Sequence, residues 1–256
     1  MRALFTLFLC LFGFSLSAQS IVNTELILKD IDSTSAVNIY SEGDLKFGNI
    51  DLVEVNNQLT YGAQYGKNLL RLSVGHEFLE ENGEKLANDL VGQARLNHFL
   101  GKNSVFVFVQ AQNTISLNLK LRYLFGAGYR QNIISSGDSS SQDRPNYLDL
   151  SAGIFKELEE YTRKGLDNLN IDNWRYSISA FSNVTITQKL SLNTTIYYQL
   201  NQSNLEDYRI YIEPRLYYKL DKISLYLTNR YRYHSTPYVP VKKEDQEYLF
   251  GVEISL

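Results

Sequence analysis

Arg209, Tyr211, Glu213, Arg215, Tyr217 and Lys219 alternate residue by residue with Ile210, Ile212, Pro214, Leu216, Tyr218 and Leu220, and the reading of this stretch decides the fold. After Asp221-Lys222 the alternation restarts, with Ile223, Leu225 and Leu227 on one side and Ser224, Tyr226, Thr228, Arg230 and Arg232 on the other. A last run sets Tyr248, Phe250, Val252, Ile254 and Leu256 against Glu247, Gly251, Glu253 and Ser255. Successive side chains of a strand point to opposite faces, so a period of two separates an apolar face from a charged one. The apolar face needs a cover. A second sheet supplies it in a soluble sandwich, whereas lipid supplies it to a closed barrel that crosses a bilayer. Apolar residues outward and charged residues inward spell a transmembrane antiparallel up-and-down β-barrel, whose final apolar run doubles as its assembly signal.

The same two-faced text recurs upstream. Leu117, Leu119, Leu121, Tyr123 and Phe125 oppose Asn118, Lys120, Arg122 and Gly126, while Tyr176, Ile178, Ala180, Val184 and Ile186 oppose Arg175, Ser177, Ser179, Asn183 and Thr185. About twelve strands result, at 36–47, 51–63, 67–79, 86–100, 103–112, 116–131, 146–158, 173–187, 189–201, 206–220, 222–234 and 246–256. With both termini periplasmic, the short turns at 65–68, 101–103, 188–189 and 221–222 fall on the periplasmic side, and the loops 80–85, 159–172, 201–206 and 235–245 fall outside. Two connections run against this parity in length: the tight Gly48-Asn49 turn and the long segment 134–144. Pro214 lacks the N–H that a central strand donates, which implies a bulge there.

The chain begins Met1-Arg2, continues apolar from Ala3 to Leu16 and then reads Ser17-Ala18-Gln19. That is the pattern of a secretory signal, too short for a spanning helix. Residues 1–18 are therefore read as a signal peptide, 19–35 as a periplasmic N-terminal segment and 36–256 as an outer-membrane barrel. The single cysteine, Cys10, lies inside the signal, so the mature chain has no thiol for disulfides or nucleophilic chemistry. Nineteen tyrosines and thirteen phenylalanines suit strands and the aromatic girdles at a bilayer's surfaces. Formal charge is −3, or −4 once Arg2 leaves with the signal, so nothing in it attracts nucleic acid.

Several short pieces, in order, resemble a family of outer-membrane barrels of unknown function labelled salt-induced outer membrane proteins. They are Val22-Asn23-Thr24-Glu25, Gly48-Asn49-Ile50-Asp51, Leu119-Lys120-Leu121-Arg122, Gly126-Ala127-Gly128-Tyr129-Arg130, Asn173-Trp174-Arg175-Tyr176-Ser177, Asp207-Tyr208-Arg209-Ile210 and Tyr231-Arg232-Tyr233-His234-Ser235 with Pro237 beyond. Ile50 stands where the family commonly has threonine, and Leu256 where assembly signals prefer an aromatic residue. The resemblance implies a bacterial outer-membrane location and contact with outer-membrane lipids and the barrel-assembly machinery, and it offers no established catalytic residue.

The inward face carries the remaining chemistry. Arg71, Arg95, Lys120, Arg122, Arg130, Arg175, Arg209, Arg215, Lys219, Arg230 and Arg232 are read as lining the lumen together with Glu213. Inward acids are fewer on this reading, with Glu54, Asp89, Asp149, Glu213 and Glu253 the clearest, so the lumen leans toward anions. The competing account is that arginine, glutamate and tyrosine pair across a narrow interior and fill it. Across the Asp221-Lys222 turn, Lys219 should face Ser224, Tyr217 should face Tyr226, Arg215 should face Thr228 and Glu213 should face Arg230. Glu213 would then be the only acid available to Arg215, Arg230 and Arg232 on these two strands.

Gly126-x-Gly128 lies mid-strand with no helix after it, so it makes room for bulky lumen neighbours rather than cradling phosphate. No histidine or cysteine spacing suits a metal, and no cofactor is called for. His76 and His98 lie near opposite rims and cannot share a site. His234-Ser235, at the outer rim, is the pair that an outer-membrane lipid hydrolase would use; the plainer account is a polar pair entering a loop. The expected function is accordingly not enzymatic: a narrow passive pore for small solutes, or a stress-related barrel that stabilises the envelope.

Overall fold

A computed structural model describes residues 35–46, 51–136, 146–163, 165 and 167–255. The described residues form twelve strands: β1 (Ser35–Lys46), β2 (Leu52–Tyr65), β3 (Asn68–Glu81), β4 (Glu84–Leu100), β5 (Asn103–Thr114), β6 (Leu119–Ser136), β7 (Asn146–Tyr161), β8 (Leu169–Thr185), β9 (Leu190–Asn201), β10 (Tyr208–Leu220), β11 (Ile223–His234) and β12 (Glu244–Ser255). Each pairs antiparallel with its sequence neighbours, and β1 pairs with β12, through Asn38↔Ser255, Tyr40↔Glu253 and Glu42↔Gly251, to close the barrel. Closure pairs the two end strands with each other over these residues.

The alternation read from sequence is the alternation of the wall. Tyr211, Glu213, Arg215 and Tyr217 are buried inside, while Leu216 and Tyr218 are exposed outside. Ile178, Val109 and Phe250 are more than half exposed on the outer wall, at 61%, 57% and 58%. Such a girdle of large apolar side chains is not what water-facing strands carry. Tyr248, Phe250 and Ile254 of the final apolar run face outward with it. Leu256 lies outside the described residues, as do the expected signal at 1–18, the segment 19–34, Gly48-Asn49 and the part of the long connection at 137–145.

Four of the sequence expectations need correction. The connection at 80–85 is a turn centred on Asn82 and Gly83, both at positive φ (50° and 82°), which suits a two-residue hairpin. Strands β7 and β8 run on into the 159–172 loop, leaving only 162–168 between them. The register is the same on both sides of Pro214, with Ile212↔Tyr231 before it and Arg215↔Thr228 after it, so no residue is inserted. The proline instead leaves its β9 pairing intact through Pro214↔Thr194, and its carbonyl accepts a bond from Thr228 Oγ1 at 3.1 Å. Register shifts occur elsewhere, including one between Leu119 and Leu121. That shift reverses the facing of Lys120: Leu119 is buried, and the Lys120 ammonium is exposed beside Glu160 at 3.0 Å.

A candidate lumen site and its latched loop

The described lumen is crossed by two ionic networks. Alternation along β7 puts Phe155, Glu157, Glu159 and Tyr161 on the inner face, where all four are buried. Glu157 there receives Arg175 Nε at 2.7 Å from β8 and Arg209 Nη1 at 2.6 Å from β10. Arg122 of β6 pairs with Glu159 and lies 3.5 Å from Glu157. Arg175 Nη2 then reaches Asp207 Oδ2 at 2.6 Å, in the short connection between β9 and β10. Burying charge is tolerated here because every carboxylate meets guanidinium groups with good hydrogen-bond geometry.

The second network joins β1, β10, β11 and β12. Glu42 takes Arg230 Nη2 at 2.6 Å, and Arg230 Nη1 reaches Glu247 at 2.9 Å. Arg232 pairs with Asp245 at 3.1 Å and with Glu247. Glu213 binds Arg215 Nη2 at 2.5 Å and accepts from the Tyr211 hydroxyl. The expected pairs Arg215↔Thr228, Tyr217↔Tyr226 and Lys219↔Ser224 are present. The role given to Glu213 is not, because β1 and β12 supply Arg230 and Arg232 with acids of their own. Lys219 stands exposed at the rim, away from both networks.

The lumen's charge also differs from expectation. Among the described residues, eight buried arginines (Arg71, Arg95, Arg122, Arg130, Arg175, Arg209, Arg215 and Arg232) face eight buried acids (Glu42, Asp149, Glu157, Glu159, Asp207, Glu213, Asp245 and Glu253). Of the acids missed in sequence, Asp207 and Asp245 sit where strands meet loops, Glu42 lies within β1, and Glu157 and Glu159 are on the inner face of β7, where Lys156 and Glu160 obscure the alternation.

The connection 235–243 folds inward over this network. Its Tyr238 hydroxyl donates to Asp207 Oδ2 at 2.7 Å and accepts from Arg175 Nη2 at 2.8 Å and Asn173 Nδ2 at 2.9 Å. The Tyr238 ring meets Tyr161 edge-on at 6.0 Å, and Tyr238, Val239 and Val241 pack on Leu117, Leu119 and Tyr161. The β6 bulge that turned Lys120 outward is what brings Leu119 inward to this cap. Burial alone would raise the Asp207 carboxyl, but the hydrogen bond from His234, the Arg175 charge and the bonds from Asn201 and Tyr238 hold it well below its usual range. Desolvation and the adjoining carboxylate raise the Tyr238 phenol, which therefore stays a donor. Sequence reasoning carried no signal for Tyr238, since a loop has no period to read.

His234 and Ser235 sit at this mouth without touching each other's chemistry. His234 Nε2 lies 2.9 Å from Asp207 Oδ1, a carboxylate that can only accept, so the ring donates there. Ser235 Oγ donates to the Glu206 carbonyl at 2.5 Å and accepts from the Tyr208 N–H at 2.8 Å. The hydroxyl is thus committed to backbone and gives the imidazole no nucleophile to deprotonate. His76 and His98 face away from the lumen, bonded to Asn88 and Asn68 at 2.9 Å each.

Between the networks and the β4–β10 wall lies a cavity of about 80 Å³, bounded by Arg95, Phe106, Phe108, Phe155, Phe181 and Arg209 among others. By this measure one water needs roughly 10–15 Å³, so the space holds several.

Fold and interior together define a twelve-stranded β-barrel of the outer-membrane type, whose lumen, among the described residues, is narrowed by ion pairs and by the inward connection 235–243. The chain belongs to the family described as "Protein of unknown function, DUF481", whose profile matches residues 43–256. Among curated proteins there is no match. Of solved structures, it is similar to the NanC porin, at 12% identity over 86% of this chain and 100% of that one, with a TM-score of 0.54. It is also similar to the translocator domain of the autotransporter NalP from Neisseria meningitidis, at 11% identity over 87% and 89%, with a TM-score of 0.53. Both are barrels, and at these identities the likeness is one of fold.

Proposed function

We propose that this chain is an integral outer-membrane barrel that acts as a narrow passive pore, with its termini on the periplasmic side. The observation that carries this reading is the pairing of an apolar outer wall with a lumen that is polar yet largely filled. The orientation is supported by loop length: the turns at 66–67, 101–102 and 221–222 share the rim where β1 begins and β12 ends, and the connections 162–168, 202–207 and 235–243 share the other. Equal numbers of buried arginines and acids favour weak ion selectivity over the anion preference expected from sequence.

Planar-bilayer recording on purified protein tests this. Small, well-defined conductance steps with a reversal potential near zero in a salt gradient are the expected result. Silence at every salt concentration would overturn the pore and leave a barrel that stabilises the envelope. A link to salt stress rests on sequence resemblance alone, and protein level after an osmotic upshift tests it.

A further inference from the structure

Phe106 and Phe108 do not stand up into the lumen. They pair directly across β5 and β6 with Gly128 and Gly126, and their ring ends lie over those glycines. A Cβ on Gly128 would come within 2.4 Å of Phe106 Cζ, and one on Gly126 within 2.9 Å of Phe108 Cε1 and 2.5 Å of Phe155 Cβ. The rings therefore lie along the wall, and the Arg95 guanidinium stacks over Phe106 at 3.8 Å. Beside this aromatic floor runs a row of amides: Gln93 Nε2 donates to Gln110 Oε1 at 2.8 Å, and Gln110 Nε2 donates to Gln112 Oε1 at 2.6 Å. A primary amide has two N–H donors and two acceptor lone pairs, so Gln93 and Gln110, which line the cavity, keep capacity for a ligand. The hydroxyls of Ser177 and Ser179, 3.4 Å apart, face the same cavity. Of the arginines at its edge, Arg209 is bonded to Glu157 at 2.6 Å and Arg122 to Glu159, while Arg95 stacks on Phe106.

We propose that this cavity is a binding site for an uncharged sugar of about hexose size. The Phe108 and Phe155 rings that line the cavity suit the C–H faces of a pyranose ring, and amides and hydroxyls that both donate and accept suit its hydroxyl groups. An anion would have to compete with Glu157 and Glu159 for Arg122 and Arg209, and with the Phe106 ring for Arg95, which a neutral ligand does not. The proposal deepens the pore reading by naming a solute class, but binding is measurable without conduction.

Saturation-transfer NMR on the detergent-solubilised full chain, with D-glucose and D-glucuronate as probes, tests it. Saturable transfer to glucose in the millimolar range, stronger than to glucuronate, is the expected result. Gln110→Leu and Phe108→Leu should each raise the dissociation constant about fivefold while the folded gel mobility is kept. Tyr238→Phe is assayed alongside so that a seated loop cannot mask the cavity. Absence of transfer to glucose in both the parent and Tyr238→Phe overturns the site, as does a preference for glucuronate or indifference to both lumen substitutions. Glucose transfer in a barrel that never conducts would remove the pore while leaving the site standing.

Discussion

Tyr238 and Asp207, which come from two different connections of the barrel, meet hydroxyl to carboxylate at 2.7 Å over the lumen. The same carboxylate oxygen also takes Arg175 and Asn201, so the contact ties the loop 235–243 to a network that is anchored in the wall. Without the hydroxyl, the carboxylate keeps its wall partners and only the loop is released. Tyr238→Phe should therefore weaken seating of the loop by about 1 kcal/mol, a factor of about five in its closed population. In bilayer recordings this should appear as more frequent transitions to a higher conductance. Currents identical to the parent would show that the loop does not limit passage.

Asp207 also sets a pH dependence. Its folded-state carboxyl is held below the ordinary value of 3.8, so its stabilising contribution is complete above that value and is lost as pH falls toward the depressed one. The unfolding temperature of the parent, read by gel shift, should fall between pH 5 and pH 3 more steeply than that of Asp207→Asn. Parallel slopes would mean that this carboxylate does not carry the acid sensitivity.

Glu157 and Glu213 are both buried, but they differ in what their loss exposes. Glu157 is shared by Arg175 and Arg209, with Arg122 3.5 Å away, so Glu157→Gln leaves a crowded group of cations and should cost on the order of 3 kcal/mol. Arg215 retains Glu42 at 4.0 Å, and Arg230 and Arg232 have acids on β1 and β12, so Glu213→Gln should cost on the order of 1 kcal/mol. Heat-modifiability of the two variants compares them directly. An equal or reversed order would contradict the division into two networks.

Gly128 is needed for close approach. A Cβ there meets the Ala152 carbonyl oxygen at 2.7 Å as well as the Phe106 ring, and backbone cannot step aside as a side chain can. Gly128→Ala should destabilise the barrel by about 1–3 kcal/mol. Gly92→Ala, whose Cβ would meet nothing within 4 Å, should be close to neutral and serves as its control. Similar unfolding temperatures for the two would show that the rings do not rest on the wall as described.

The twelve strands, their order and the inward set on β10 and β11 were legible in the sequence because a strand's facing is a local property with period two. Local reasoning failed wherever a second strand or a loop intervened. Lys120 was assigned to the lumen because nothing in its neighbours reveals the register shift beside Leu119, which is defined by the pairing with β5 and β7. Pro214 was expected to force a bulge, yet pairing with β9 carries the strand through it unbroken.

The charge of the interior was misjudged for a related reason. Asp245 and Glu247 lie within the ambiguous start of β12 and meet Arg232 and Arg230 through the β11–β12 pairing, whereas Glu42 lies far along the chain on β1 and reaches Arg230 only because β12 closes on β1. What the sequence determined by itself is therefore the wall: which residues alternate, and that the apolar set needs a cover other than water. Tertiary structure decided how the interior is filled, because partners across a lumen are fixed by barrel closure and loop path. Neither has a period that a single chain can display.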